Sequence, residues 1–210
     1  MEAAPSLLQN SAVETRRAFG LLFVAVSIAV GIASILSEIA YVVTNLPVFY
    51  YAIIWILSFG AVFGAFIRRM RKVVPAIVGR MKTSVRWPIS AKTLNGVCWA
   101  GPFIAIGAFH SLYQYLILLG IGLGNLSTYL LIKKYSGTDN REQLVVAIIS
   151  LAAIPVAVTI DSLLFATHPD IAVMLSRIFI GVAYAAGGAY ALLIKAGPVG
   201  FDPTTSGSLQ

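Results

Sequence analysis

The sequence predicts an all-α polytopic membrane protein with six transmembrane helices in three hairpins and both termini cytoplasmic. Three observations carry this. Hydrophobic residues make up 59% of the 210 and charged ones only 11%, against roughly 25% charged in a soluble domain, and mean hydropathy is +0.88. The apolar stretches are continuous and long enough to cross a ~30 Å hydrocarbon layer, where barrel strands would alternate. The basic residues are gathered into a few segments, as in cytoplasmic loops that flank membrane spans.

Residues 1–15 read as a cytoplasmic N-terminal segment and 16–196 as one transmembrane domain. Its first span, about 19–43, follows Arg16 and Arg17. "TRRAFG" at 15–20 has the form of a twin-arginine export signal. The apolar region after it is about 25 residues long, carries Glu38 and lacks a small-x-small cleavage site, so a retained span is preferred. The second span, about 47–67, follows the short connection "TNLP".

The loop 68–92 carries Arg68, Arg69, Arg71, Lys72, Arg80, Lys82, Arg86 and Lys92 without an acid, and the next polar loop carries Lys133, Lys134 and Arg141. If both lie inside, the segment 94–132 must cross the membrane an even number of times. Two short spans, about 94–110 and 112–132, satisfy this with a turn at His110–Ser111; a re-entrant hairpin would also. The last two spans, about 143–165 and 171–195, meet at "ATHPD". Of the 15 basic residues, Arg177 alone then falls on the outer side. The tail 197–210 is polar and rich in Gly, Pro, Ser and Thr, the composition of a disordered cytoplasmic segment.

Within the basic loop, Val74, Ile77, Val78, Met81 and Val85 share one arc at ~100° per residue, with Pro75 in a first turn and Pro88 as a stop. This predicts an amphipathic helix in the inner interface. Arg80, Lys82 and Arg86 would contact anionic lipids, each contributing about 1 kcal/mol, and Trp87 would sit at headgroup level. The bland reading is a loop that only obeys the topology rule. Nucleic acid is not expected as a partner, since no aromatic-and-basic recognition module is present.

Polar residues inside spans face protein or water and pair. By the rise of ~1.5 Å per residue, Asp161 lies roughly 6 Å, Glu38 roughly 7 Å and Arg177 roughly 9 Å from the outer ends of their spans. These three, with His168 and His110 at the tips, form the candidate substrate- or ion-binding set. An Asp161–Arg177 pair is expected, with Glu38 as competitor or third member. It reads either as a staple for the last hairpin or as an outward vestibule where Glu38 and Asp161 bind a cation or relay protons. Pro155 is expected to kink the fifth span.

Small residues spaced four apart support close packing in lipid: Gly60 and Gly64, Gly120 and Gly124, and Gly181, Ala185 and Ala189. Intrachain contacts are favoured over an oligomer seam.

Other chemistries are poorly supported. Ser162, His168 and Asp161 could compose a triad on paper, but no nucleophile elbow is present and the helical positions diverge. "GIGLGN" at 120–125 lies inside a span with no preceding strand, so it is no dinucleotide loop. His110 and His168 lack metal-ligand spacing, and the single cysteine, Cys98, excludes an internal disulfide. No metal, cofactor or catalytic residue is expected.

These readings point to a multi-pass cell-membrane protein of transporter, permease or channel type with a polar site near the outer face. The alternative is an accessory or scaffold subunit of a larger membrane complex, such as a respiratory one. Expected partners are anionic lipids at the inner face and either copies of the chain or other membrane subunits.

Overall fold

The computed structural model describes residues 3–44, 47–69, 71, 74–75, 78, 87–136 and 139–193, with side chains along the first helix described from Arg16. All regular structure among these residues is helical. The helices are α1 (Ala3–Thr44), α2 (Val48–Ala65), α3 (Ile89–Ala105), α4 (Tyr113–Ser136), α5 (Arg141–Leu164) and α6 (Pro169–Leu193), with a 3-10 turn at His110–Leu112 before α4.

Among the described residues four helices are long and apolar enough to cross a membrane: Arg16–Val43 within α1, Tyr113–Tyr135 within α4, Arg141–Leu164 and Ile171–Leu193. The apolar part of α2, Phe49–Ala65, is shorter, and α3 has 17 residues. The segment 94–132 is thus two helices joined by a turn. Several boundaries differ from those expected. The first helix begins at Ala3, well before residue 19. Pro88, expected as a stop for the loop helix, is the N-cap residue of α3, its carbonyl accepting from the amides of Ala91 at 3.0 Å and Lys92 at 3.1 Å; the residues just before Trp87 lie outside the described set. A proline fits there because it begins the helix where no backbone N–H is required. The interfacial helix expected over 74–85 and the tail 197–210 fall largely or wholly outside the described residues.

Each helix packs against its sequence neighbour in a hairpin, and α6 returns to pack along α1. The main contacts run α2–α1–α6–α5–α4–α3, with a smaller one between α4 and α6. The shared core takes Phe23 and Val30 from α1, Leu118 and Ile121 from α4, Val146, Ala153 and Ala157 from α5, and Ile180 and Ala183 from α6. On another face of α1, Ala25 and Ala29 form the floor for Phe59, Val62, Phe63 and Phe66 of α2 and its end. The outward faces are large and apolar, as with Ile28, Ile32, Ile35 and Ile39 along α1. A soluble monomer would rarely expose a patch of that extent; hydrocarbon accommodates it.

Glycines set how closely the helices approach. A Cβ at Gly120 would meet the Phe103 ring at 2.7 Å, and one at Gly124 the Trp99 ring at 2.3 Å, so both expected packing glycines of α4 receive aromatic rings of α3. In α6, Gly187 abuts Val146 of α5 while Gly188 abuts Val24 and Gly20 of α1. Ala185, expected on that packing face beside Gly181, is exposed. The expectation for α2 also fails. Gly60 and Gly64 have nothing within 4 Å of a Cβ position, because α2 turns its phenylalanines rather than its glycines toward α1.

The fifth helix runs continuously through Pro155 from Arg141 to Leu164, and the Thr159 hydroxyl donates to the Pro155 carbonyl at 2.9 Å.

Candidate functional site

The antiparallel hairpins bring six helix ends together: the C-termini of α1, α3 and α5 and the N-termini of α2, α4 and α6. At this end a cleft of about 270 Å³ opens between helices. Ser37, Glu38 and Tyr41 of α1 form one wall, with Tyr51 of α2 beside them. Tyr113 of α4, Phe165 after α5, and Arg177 of α6 face them. Side chains 37, 38 and 41 share a helix face because residues three and four apart are neighbours on a helix.

Arg177 donates from Nη2 to the Tyr113 hydroxyl at 3.3 Å, and its guanidinium lies 5.9 Å from that ring's centroid. Such a contact over an aromatic face is attractive and fixes the cation at the cleft. Glu38 and Arg177, chosen from sequence, therefore share one cavity. Asp161 does not line it.

Asp161 is only 8% exposed and turns toward α4. Its Oδ2 accepts from the Gln114 amide and from the Tyr115 hydroxyl. The expected Asp161–Arg177 pair is not formed. Arg177 lies deeper along α6 and is intercepted by Tyr113, while two neutral donors on the first turn of α4 take the carboxylate. Asp161 Oδ1 and Gln114 Oε1 are buried without a hydrogen-bond partner among the described residues.

His168 is exposed in the turn between α5 and α6, where its amide donates to the Leu164 carbonyl at 2.6 Å. His110 begins the 3-10 turn at the neighbouring tip, and its side chain is outside the described set. Among the described residues no three His, Cys, Asp or Glu side chains gather to hold a metal ion. Arg80, Lys82 and Arg86 lie outside the described residues; Trp87 is half-buried just before α3.

Four features escaped the reading of the sequence. The tyrosines at 41, 51, 113 and 115 all serve this end of the bundle, and their repeated placement at span ends was the available signal. A polar staple joins α3 to α4: Ser127 and Thr128 donate to Asn95 Oδ1 at 2.8 and 2.9 Å, and Trp99 Nε1 donates to Thr128 at 3.1 Å. At the opposite end of the bundle Glu142, 2% exposed, is buried in the first turn of α5 with Asn140 and Gln143 beside it. A helix N-terminus favours an acid there. Nearby, Tyr129 donates to Asp139 at 3.2 Å, Arg141 pairs with Asp139 at 2.6 Å, and the Arg16 guanidinium lies 5.1 Å from the Tyr190 ring centroid.

No family model, curated protein or solved structure matches the chain, so the site rests on its own geometry.

Proposed function

We propose that this chain is a multi-pass cell-membrane protein of transporter or channel type that admits a small polar solute or ion through the Glu38–Arg177 cleft. The observation that carries the reading is the placement of an acid and a guanidinium across one space of about 270 Å³ bordered by tyrosines. Charged groups are rare within membrane spans and mark solute or ion pathways. In this reading α2 and α3 complete six spans, the basic loop and both termini face the cytoplasm, and the cleft opens outward. Arg80, Lys82, Arg86 and Trp87 then rest on anionic lipid at the inner face.

Opposite charges across a small cleft suit a solute that bears both, such as an amino-acid zwitterion. Uptake of radiolabelled amino acids into proteoliposomes tests this. At least one is expected to accumulate, and Glu38→Gln or Arg177→Gln should raise its half-saturating concentration about 10–100-fold, the equivalent of one charged hydrogen bond. Absence of uptake for the whole panel, or variants that match wild type, would count against it.

Orientation has its own test. With Cys98 replaced by Ala, a His168→Cys chain should react with a membrane-impermeant maleimide in intact cells, while a cysteine at 138 should react only after permeabilisation. The reverse pattern would invert the topology and close the cleft to the exterior.

A second reading, an accessory subunit of a larger complex, is favoured by α2. That helix packs on α1 and leaves the face of Ala52, Ile56, Gly60 and Gly64 exposed. Native mass spectrometry of the detergent-extracted protein would then show further chains bound.

A further inference from the structure

We infer that Asp161, Gln114 and Tyr115 form a binding site for a dehydrated monovalent metal cation, separate from the cleft. Three observations converge on it. The first is burial: Asp161 is 8% and Gln114 6% exposed, so both have left solvent. The second is the direction of the hydrogen bonds. Gln114 presents its N–H and Tyr115 its O–H to the same oxygen, Oδ2. Two donors converging on one oxygen serve a carboxylate; a carboxylic acid would be better met by the amide's oxygen. The third is what remains uncovered: Asp161 Oδ1 and Gln114 Oε1, two acceptors on residues already in contact, have no hydrogen-bond partner among the described residues.

A buried carboxylate needs a counter-charge, and the chain supplies little at this end. Arg177 is its only lysine or arginine among the helix ends gathered here, and Arg177 is bound to Tyr113 instead. Among the described residues no basic side chain pairs with Asp161, which leaves its open oxygen Oδ1 to a cation from outside the chain. The donor set selects its class. Oxygen alone suits hard cations, whereas zinc, copper and iron favour nitrogen or sulfur. One carboxylate supplies a single negative charge, and calcium sites draw on several oxygens including more than one acid. A monovalent ion such as sodium, potassium or lithium matches both charge and ligand type, with backbone carbonyls or retained waters completing its shell.

The test is thermal unfolding of the full-length protein in detergent, followed by intrinsic fluorescence. Chloride salts of sodium, potassium, lithium, magnesium and calcium are compared with choline chloride at matched ionic strength. At least one monovalent metal ion should raise the midpoint saturably, by about 5–10 °C at ~100 times its dissociation constant. Asp161→Asn should abolish the shift, and Gln114→Leu should raise the half-saturating concentration about 10-fold. If Asp161→Asn does not fold, the Gln114→Leu titration decides alone. The inference is overturned if no metal ion differs from choline, if only a divalent ion acts, or if the midpoint follows pH without regard to cation. It is equally overturned if Asp161→Asn keeps the full shift or, where that variant does not fold, if Gln114→Leu binds as wild type does.

Discussion

Gly124→Leu is expected to destabilise the purified protein by about 3 kcal/mol or more, the upper range for forcing side-chain volume into a packed interface. Even a Cβ at this position would lie 2.3–2.7 Å from three atoms of the Trp99 ring. The ring cannot bend, and its Nε1 is tied to Thr128 at 3.1 Å, so any added carbon must displace both the indole and that hydrogen bond. Gly124→Ala should therefore cost about 1–2 kcal/mol net, after the gain of up to ~1 kcal/mol that alanine brings to a helix interior. Gly60→Ala meets nothing within 4 Å and should leave the unfolding midpoint unchanged or raise it. Circular dichroism during heating in detergent reads all three. A cycle with Trp99→Ala adds specificity, because Gly124→Ala on that background should lose most of its effect. Equal losses on both backgrounds would show that the indole is not what the glycine accommodates.

The contrast between these glycines also shows where reading the sequence succeeded. The charge of the flanking loops was needed to divide α4 from α3, while continuous hydrophobicity was enough to establish the helical class and to mark α1, α5 and α6. It could not say which way α2 faces, because Gly60 and Gly64 on one side and Phe59, Val62, Phe63 and Phe66 on the other are equally compatible with packing in lipid. Nor does hydropathy mark a short helix such as α3, whose first turns carry Lys92 and Asn95. The polar end of the bundle was legible for a simpler reason: ionisable residues are so few that Glu38, Asp161 and Arg177 stand out by type and depth. Their partners were not legible. Tyrosine and glutamine blend into any interfacial segment, and only the rotation of α4 decides that Tyr113 meets Arg177 while Gln114 and Tyr115 meet Asp161. Glu142 was missed because a charged residue beside a basic loop looks solvated, whereas the start of α5 tucks it beneath α6, where Gly187 leaves room for the Glu142 carbonyl.

The Asp161 cluster should respond to mutation as a coupled unit. Tyr115→Phe and Gln114→Leu each remove a donor to a buried carboxylate and should each cost about 1.5–3 kcal/mol. Together they leave the charge without either donor, for which about 3–5 kcal/mol is the expected loss. Asp161→Leu removes the charge itself, and exchanging a buried charge for an apolar group is often neutral or stabilising. On the Asp161→Leu background, then, Tyr115→Phe and Gln114→Leu should cost less than about 0.5 kcal/mol each, since the donors no longer serve a charge. Chemical denaturation in mixed micelles, at a fixed salt composition, measures the cycle. Unaltered costs on the leucine background would mean that Tyr115 and Gln114 act through packing and that the carboxylate is incidental to them. If the leucine variant instead matches or exceeds wild-type stability, the fold does not need Asp161, and the cost of the donor substitutions in the wild-type background is the cost of a buried charge left without its donors.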